Sequence, residues 1–233
     1  MLQDILFIPG SIVFMILEKI YERLALNNLI LNKYEKSEKY FLKIKKKNPH
    51  MQGINFNLGI IKFAKKEFLE AEKYFLNEIK LFGETYERLK SVADLYYVWG
   101  QREKCNTNYK KALRLCESKK DKQFIKERLL NSSDSKSFKK VKESNFLFEE
   151  GCHLMNDERF DEAKKSFFSS IELDKTNFIA LNNLGSIFLN HDKDYLSAAD
   201  SFEKALEYSD LPILKNNLSL AKQDQEKLDE KKR

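Results

Sequence analysis

Three histidines and three cysteines are the residues of this chain best suited to hold a metal or attack a carbonyl, and their spacing argues against both. A zinc site needs ligands grouped in close-spaced pairs, whereas His50, His153 and His191 are widely scattered. Cys105, Cys116 and Cys152 form no C-x-x-C pair, and no H-E-x-x-H or Gly-rich phosphate loop occurs. His153, beside Glu149 and Glu150 on a helix, reads as a surface or half-buried residue, and Cys152 has no evident base partner. An odd cysteine count in no close-spaced motif speaks for a reducing compartment rather than a disulfide framework. These residues therefore predict no reaction and no cofactor or metal.

Charge offers a second chemistry. The net charge is +6, but residues 1–142 carry 30 basic and 17 acidic groups (+13), and residues 143–233 carry 12 and 19 (−7). Lys36, Lys39, Lys43 and Lys47 make a stripe at helical spacing, and Lys110, Lys111, Lys119, Lys120 and Lys122 add charge further on. Such groups could neutralise phosphates. No RNA-binding motif with aromatic platforms accompanies them, so nucleic acid or another polyanion ranks below a protein ligand, and a solvated outer face explains the stripe equally well.

What must position all of these residues is a repeat. A small residue is followed four positions later by an aromatic one at Ser37/Phe41, Ala71/Phe75, Cys105/Tyr109, Ala163/Phe167 and Ala198/Phe202. The first three pairs step by 34 residues and the last two by 35. Ala25, Gly59, Ala93, Gly151 and Gly185 run in phase, 12 or 13 residues ahead. A period near 34 with small residues at two fixed points predicts stacked helical hairpins. Helices approach closely where Gly or Ala sits, and the aromatic one turn on fills the gap. With 33% charged residues, 7 Gly and 3 Pro, the composition suits a helical array and not a turn-rich β fold.

Phase divides the chain into five segments. Residues 1–17 are an apolar N-terminal segment. Residues 18–119 hold three hairpins, with Asn48-Pro49 and Gly83 as stops. Gly151 follows Ala93 at a step of 58 residues, which is 34 plus 24. The insert, residues 120–143, predicts a helix carrying Phe124, Ile125, Leu129 and Leu130, then a Ser-rich loop or hinge over Asn131–Ser137. Residues 144–212 hold two further hairpins, with the one extra residue assigned to the turn Asn190–Tyr195. Residues 213–233 form a closing helix and a charged tail.

The N-terminal segment admits three readings. Ile5–Leu17 is uncharged but interrupted by Pro9-Gly10-Ser11. It is short for a membrane span, which needs roughly 20 residues, and lacks the basic start and cleavage site of a secretory signal. A packed helix with Ser11 as its N-cap, a membrane-associated anchor and a degenerate signal all remain open. Asn131-Ser132-Ser133 and Asn217-Leu218-Ser219 match the glycosylation pattern, which is too short to be specific.

These residues resemble the tetratricopeptide repeat (TPR) family over roughly Glu18–Pro212, less the insert. The fullest copies are Leu147…Gly151…Leu154…Phe160…Ala163…Phe167 and Leu181…Leu184-Gly185…Phe188…Ala198…Phe202…Ala205-Leu206. Departures include Glu78 at a small position, Lys62 at an aromatic one and Glu150 at an aliphatic one. The resemblance implies an all-α, right-handed superhelix of about five TPR-like hairpins plus a closing helix, with an extra helix inserted after the third. It implies a concave groove for a peptide or helix, and no reaction.

By that resemblance the groove is lined by Phe56, Ile60 and Phe63, then Lys90, Asp94 and Tyr97, then Phe148, Cys152 and Met155, then Asn182, Asn183, Ser186 and Leu189. Each set follows helical spacing, and aromatic and Met side chains suit an apolar or amphipathic ligand. Asn182 and Asn183 offer donors and acceptors to an extended backbone. Many of these side chains could equally pack against the preceding repeat. Glu22, Leu26, Phe56 and Ile60 occupy the positions where a carboxylate clamp would need Lys and Asn, so such a clamp is not expected. The expectation is a non-enzymatic interaction scaffold or adaptor, cytoplasmic, binding another protein and no small-molecule substrate. The alternatives are a membrane-associated scaffold anchored through residues 5–17 and a polyanion-binding module.

Overall fold

A computed structural model of the chain describes residues 10–232, with side chains over residues 16–231. The first nine residues lie outside the described part, so the readings of Ile5–Pro9 do too. Among the described residues there are twelve α-helices and no strand. The helices are α1 (Gly10–Ile30), α2 (Tyr34–Lys47), α3 (Ile54–Ala64), α4 (Phe68–Phe82), α5 (Tyr86–Trp99) and α6 (Arg102–Leu115). Then follow α7 (Lys119–Asn131), α8 (Ser135–Asn156), α9 (Phe160–Leu173), α10 (Phe178–Ile187), α11 (Tyr195–Leu206) and α12 (Pro212–Lys232). The chain forms two compact units, meeting in sequence between Leu95 and Tyr96.

The repeat is written in the backbone as well as in the sequence. Within each hairpin the turn carries a left-handed residue: Asn32, Lys66, Gly100, Glu158 and Lys193. The amide of the following residue closes the turn, as in Lys33 to Asn28 (2.8 Å), Glu67 to Lys62 (2.9 Å), Gln101 to Tyr96 (2.8 Å) and Arg159 to Leu154 (2.9 Å). This is the helix-ending arrangement that satisfies the last carbonyls. In the last hairpin Asp194 reaches one residue further, to Phe188 (2.9 Å), across a π-helical turn at Phe188–Asp192. The extra residue of the final repeat is absorbed there, as a π-bulge at the end of α10 that overlaps the expected turn.

Inside the hairpins the small positions do what their size allows. A Cβ added to Gly59 would stand 2.6 Å from the Phe75 ring, one on Gly151 2.7 Å from Phe167, and one on Gly185 2.7 Å from Phe202. In the first hairpin, Ser37 Oγ donates to the Ala25 carbonyl at 2.8 Å, and both residues are fully buried. In the fourth, Ser144 and Ser170 each donate to the other's carbonyl, at 2.8 and 2.9 Å, so α8 and α9 meet closely at two serines. The result is an array of TPR-like hairpins.

The insert departs from expectation. Helix α7 forms, with Ser118 Oγ accepting from the Asp121 amide and Phe124 and Ile125 buried. The Ser-rich stretch is not a loop over Asn131–Ser137. Asp134 Oδ1 accepts from the amides of Lys136 (2.8 Å) and Ser137 (2.9 Å), so it is the N-cap of a 22-residue helix. Phe138 and Val141 bury one face of its first turns. Residues that read as a hinge are therefore a helix start, since Asp and Ser serve caps as well as loops. Nor does α1 begin at Glu18. It runs unbroken from Gly10, so Ser11 lies inside it and residues 12–17 extend α1.

Candidate functional site

The expected groove residues fall into two groups. In the first unit, Phe56 packs on Phe75 with ring centroids 5.6 Å apart, and Phe63 on Phe68 at 6.4 Å. Both rings and Ile60 are half-buried. Lys90 and Asp94, one turn apart on α5, pair with each other at 2.7 Å.

In the second unit, Tyr97 is not a lining residue. It is fully buried, with its hydroxyl donating to Asp174 Oδ2 at 2.9 Å and accepting from Asn131 Nδ2 at 3.2 Å. Its ring lies edge-on to Tyr109 and Phe138, with the Arg128 guanidinium 4.1 Å from its centroid. Burial pushes the Tyr97 phenol well above its usual range; Asp174 adds to the rise and Arg128 opposes it. Leu189 is also core, 4% exposed among Ala198, Phe202 and Ala221. Both sit on the right helical face by count, but that face turns inward where it meets α7–α8 and α12.

The remaining residues form a strip across three helices. Asn183 on α10 donates from Nδ2 to Cys152 Sγ on α8 at 3.6 Å. Next to it, Asn182 Oδ1 accepts from Asn217 Nδ2 on α12 at 3.1 Å. Ser186 Oγ, one turn along α10, donates to the Asn182 carbonyl at 2.9 Å. All five side chains are partly exposed. Phe148 and Met155 flank Cys152 but lean into the core of Ala163, Phe167 and Leu184. Asn145 shares their face of α8, and its Nδ2 is buried with no partner among the described residues. The lining is thus richer in amides and poorer in exposed apolar surface than expected. In the sequence Asn217 belongs to the closing helix and to a short glycosylation-like triplet, and the signal that could place it in the strip is its spacing of 35 from Asn182.

Three polar clusters stand among the packed helices, two of them at Glu78 and Lys62, where the sequence departs from the repeat pattern. Arg128 donates from Nε to Thr176 Oγ1 (2.8 Å) and from Nη1 to the Tyr109 hydroxyl (3.3 Å). Asp174 Oδ1 accepts from Asn131 Nδ2 (3.0 Å), the Thr176 amide (2.9 Å) and Thr176 Oγ1 (2.6 Å). Together they pin α7 to the loop before α10. In the first unit, fully buried Glu78 accepts from the Gly53 amide at 2.8 Å and lies 3.5 Å from Arg88. Lys62 pairs with Glu38 (2.8 Å) and Glu67 (2.6 Å), and Lys65 joins both. Burial alone would lower the Lys62 pKa, yet its two carboxylates raise it above the usual range. Glu67 is held below the usual carboxylate value by Lys62 and then Lys65.

No group of three or more His, Cys, Asp or Glu among the described residues could hold a metal ion. No described helix is long and apolar enough to cross a membrane. The lysines at 36, 39, 43 and 47 are exposed along α2, with Lys43 placed over the Tyr21 ring at 4.9 Å.

Neither a family model nor a curated protein matches this chain. Solved structures of helical-repeat proteins do. YrrB, described as a TPR protein with an unusual peptide-binding site, is 16% identical with a TM-score of 0.41, covering 83% of this chain and 87% of that one. MamA is 13% identical at a TM-score of 0.40, covering 82% and 91%. A TPR protein of Thermus thermophilus is 16% identical at 0.40, covering 88% and 98%. Likenesses this distant carry no functional argument, and the TPR-like architecture rests on the hairpin geometry above.

Proposed function

We propose that this chain is an interaction scaffold that holds an extended peptide segment of another protein along the strip formed by Cys152, Asn182, Asn183, Ser186 and Asn217. The observation that carries the reading is the side-chain ladder Cys152–Asn183 and Asn182–Asn217, which links α8, α10 and α12 in order. Each amide offers both a donor and an acceptor, the complement of a peptide unit. An extended strand leaves its own backbone groups unpaired and can bond such a row. The half-buried Phe148 and Met155 beside it would give small apolar footholds for alternate side chains. An amphipathic helix fits less well, because the strip exposes little continuous apolar surface.

The test is hydrogen exchange on the full chain with and without a peptide selected from a displayed library of linear sequences. The reading predicts added protection over α8 and α10, centred on residues 152 and 182–186. Protection confined to α2 would contradict it and place the interface on the lysine stripe.

A further inference from the structure

Helix α1 outruns its partner. Asn48, at the end of α2, donates from Nδ2 to Glu18 Oε2 at 3.5 Å, so the paired length of the first hairpin stops at Glu18. From there α1 continues back to Gly10. Eight residues rising about 1.5 Å each carry it about 12 Å past the end of α2. Residues 10–17 contain no charge. Of them, Ile16 is 51% exposed and Leu17 40%, and Ile20, one turn on, is 47% exposed.

The end of the hairpin from which this helix projects is basic. Lys46 and Lys47 close the last turn of α2, level with Glu18, and Lys19 follows Glu18 on α1. All three are exposed. Lys43 lies one turn further back, over the Tyr21 ring. Glu18 is the acidic group at this level, and it is engaged with Asn48. An apolar helix end set above a collar of ammonium groups has the polarity of a bilayer surface, where acyl chains take the apolar tip and phosphates take the lysines. A protein groove would need an acidic rim on several sides to match the same collar, whereas an anionic membrane supplies it as a plane.

We propose that the N-terminal end of α1 inserts into the headgroup region of an anionic membrane, with Ile16 and Leu17 facing the acyl boundary and Lys19, Lys46 and Lys47 on the phosphates. This is a surface docking, in keeping with the absence of a crossing helix among the described residues. It is independent of the peptide strip, which lies on other helices.

Co-flotation of the full chain with vesicles tests it, using phosphatidylcholine alone and phosphatidylcholine with one quarter phosphatidylglycerol. Binding is expected to the anionic vesicles only, weakening about five-fold for each of Lys19→Gln, Lys46→Gln and Lys47→Gln. Ile16→Asn with Leu17→Asn should abolish it while helical circular dichroism is unchanged. The proposal is overturned if anionic vesicles capture no protein, or if capture is indifferent to the Ile16 and Leu17 changes. It is also overturned if sedimentation shows a dimer that those two changes dissociate, because the face is then an interface between copies of the chain.

Discussion

The ring of Phe167 occupies the space that a side chain on residue 151 would need: a Cβ there would lie 2.7 Å from it. The glycine is thus a packing requirement, and its helix-weakening character is overridden. On propensity alone Gly151→Ala would stabilise α8 by about 1 kcal/mol. Overpacking of a closed contact costs about 1–3 kcal/mol. Gly151→Ala is therefore expected to be destabilising or neutral, and Gly151→Leu strongly destabilising, in urea unfolding. Adding Phe167→Leu to Gly151→Ala should recover part of the loss. A stabilised Gly151→Ala protein would show that the two helices are not held at this distance.

Asp174 gathers three donor residues inside the second unit, Tyr97, Asn131 and Thr176. Each buried group left without a partner costs about 1–3 kcal/mol. Asp174→Ala should lower unfolding free energy by about 3 kcal/mol or more, and Tyr97→Phe by clearly less. Near-ultraviolet circular dichroism should report the loosened Tyr97 and Tyr109 rings. An Asp174→Ala protein as stable as the parent would mean that α7 is not pinned by this cluster.

How much was legible follows from what packing demands of side-chain type. The pairs Gly59/Phe75, Gly151/Phe167 and Gly185/Phe202 could be read from the chain because a close helix contact tolerates only small residues facing large flat ones. Arg128, Asp174 and Glu78 could not, because a charged residue in an amphipathic pattern reads as surface until its partners are known. Tyr97 and Leu189 were misplaced for a related reason: helical spacing fixes which face a residue is on, but not what covers that face. Asp134 and its serine neighbours read as loop in the sequence because the same residue types serve hinges and N-caps.

Cysteine chemistry separates the core from the strip. Burial pushes the Cys105 thiol up to about 11, against its ordinary value near 8.5. A raised folded-state value means the contribution is fully present below the unfolded pKa and is lost as pH rises through the folded one. Stability should accordingly decline between about pH 8.5 and 11, and Cys105→Ala should flatten that decline. With a thiol reagent at neutral pH, the half-buried Cys152 should react first, while Cys105 and Cys116 wait for unfolding. Equal labelling of all three in the native protein would contradict their placement.

Acid should act on the first unit through the Lys62 cluster. Because the Glu67 carboxyl is held low, its contribution is present above the unfolded carboxylate value of about 4.3 and is lost as pH falls through the folded one. Lys62→Met should make melting less dependent on pH below about 5. The check is a series of melting temperatures from pH 3 to 7 for both proteins. Parallel curves would show that the Lys62–Glu67 contact of 2.6 Å is not formed in solution.

The function proposed for this chain is to hold a peptide with the amides of α10. Its most direct test is calorimetric titration of a selected linear peptide into the full chain and into the variant carrying Asn182→Ala and Asn183→Ala, with melting temperatures measured alongside. Two lost hydrogen bonds at about 0.5–1.5 kcal/mol each predict affinity weakened about 5- to 150-fold. A variant with Lys36, Lys39, Lys43 and Lys47 changed to Glu should keep its affinity. Unchanged binding by the double-Asn variant, with binding lost in the lysine variant and in high salt, would contradict the account.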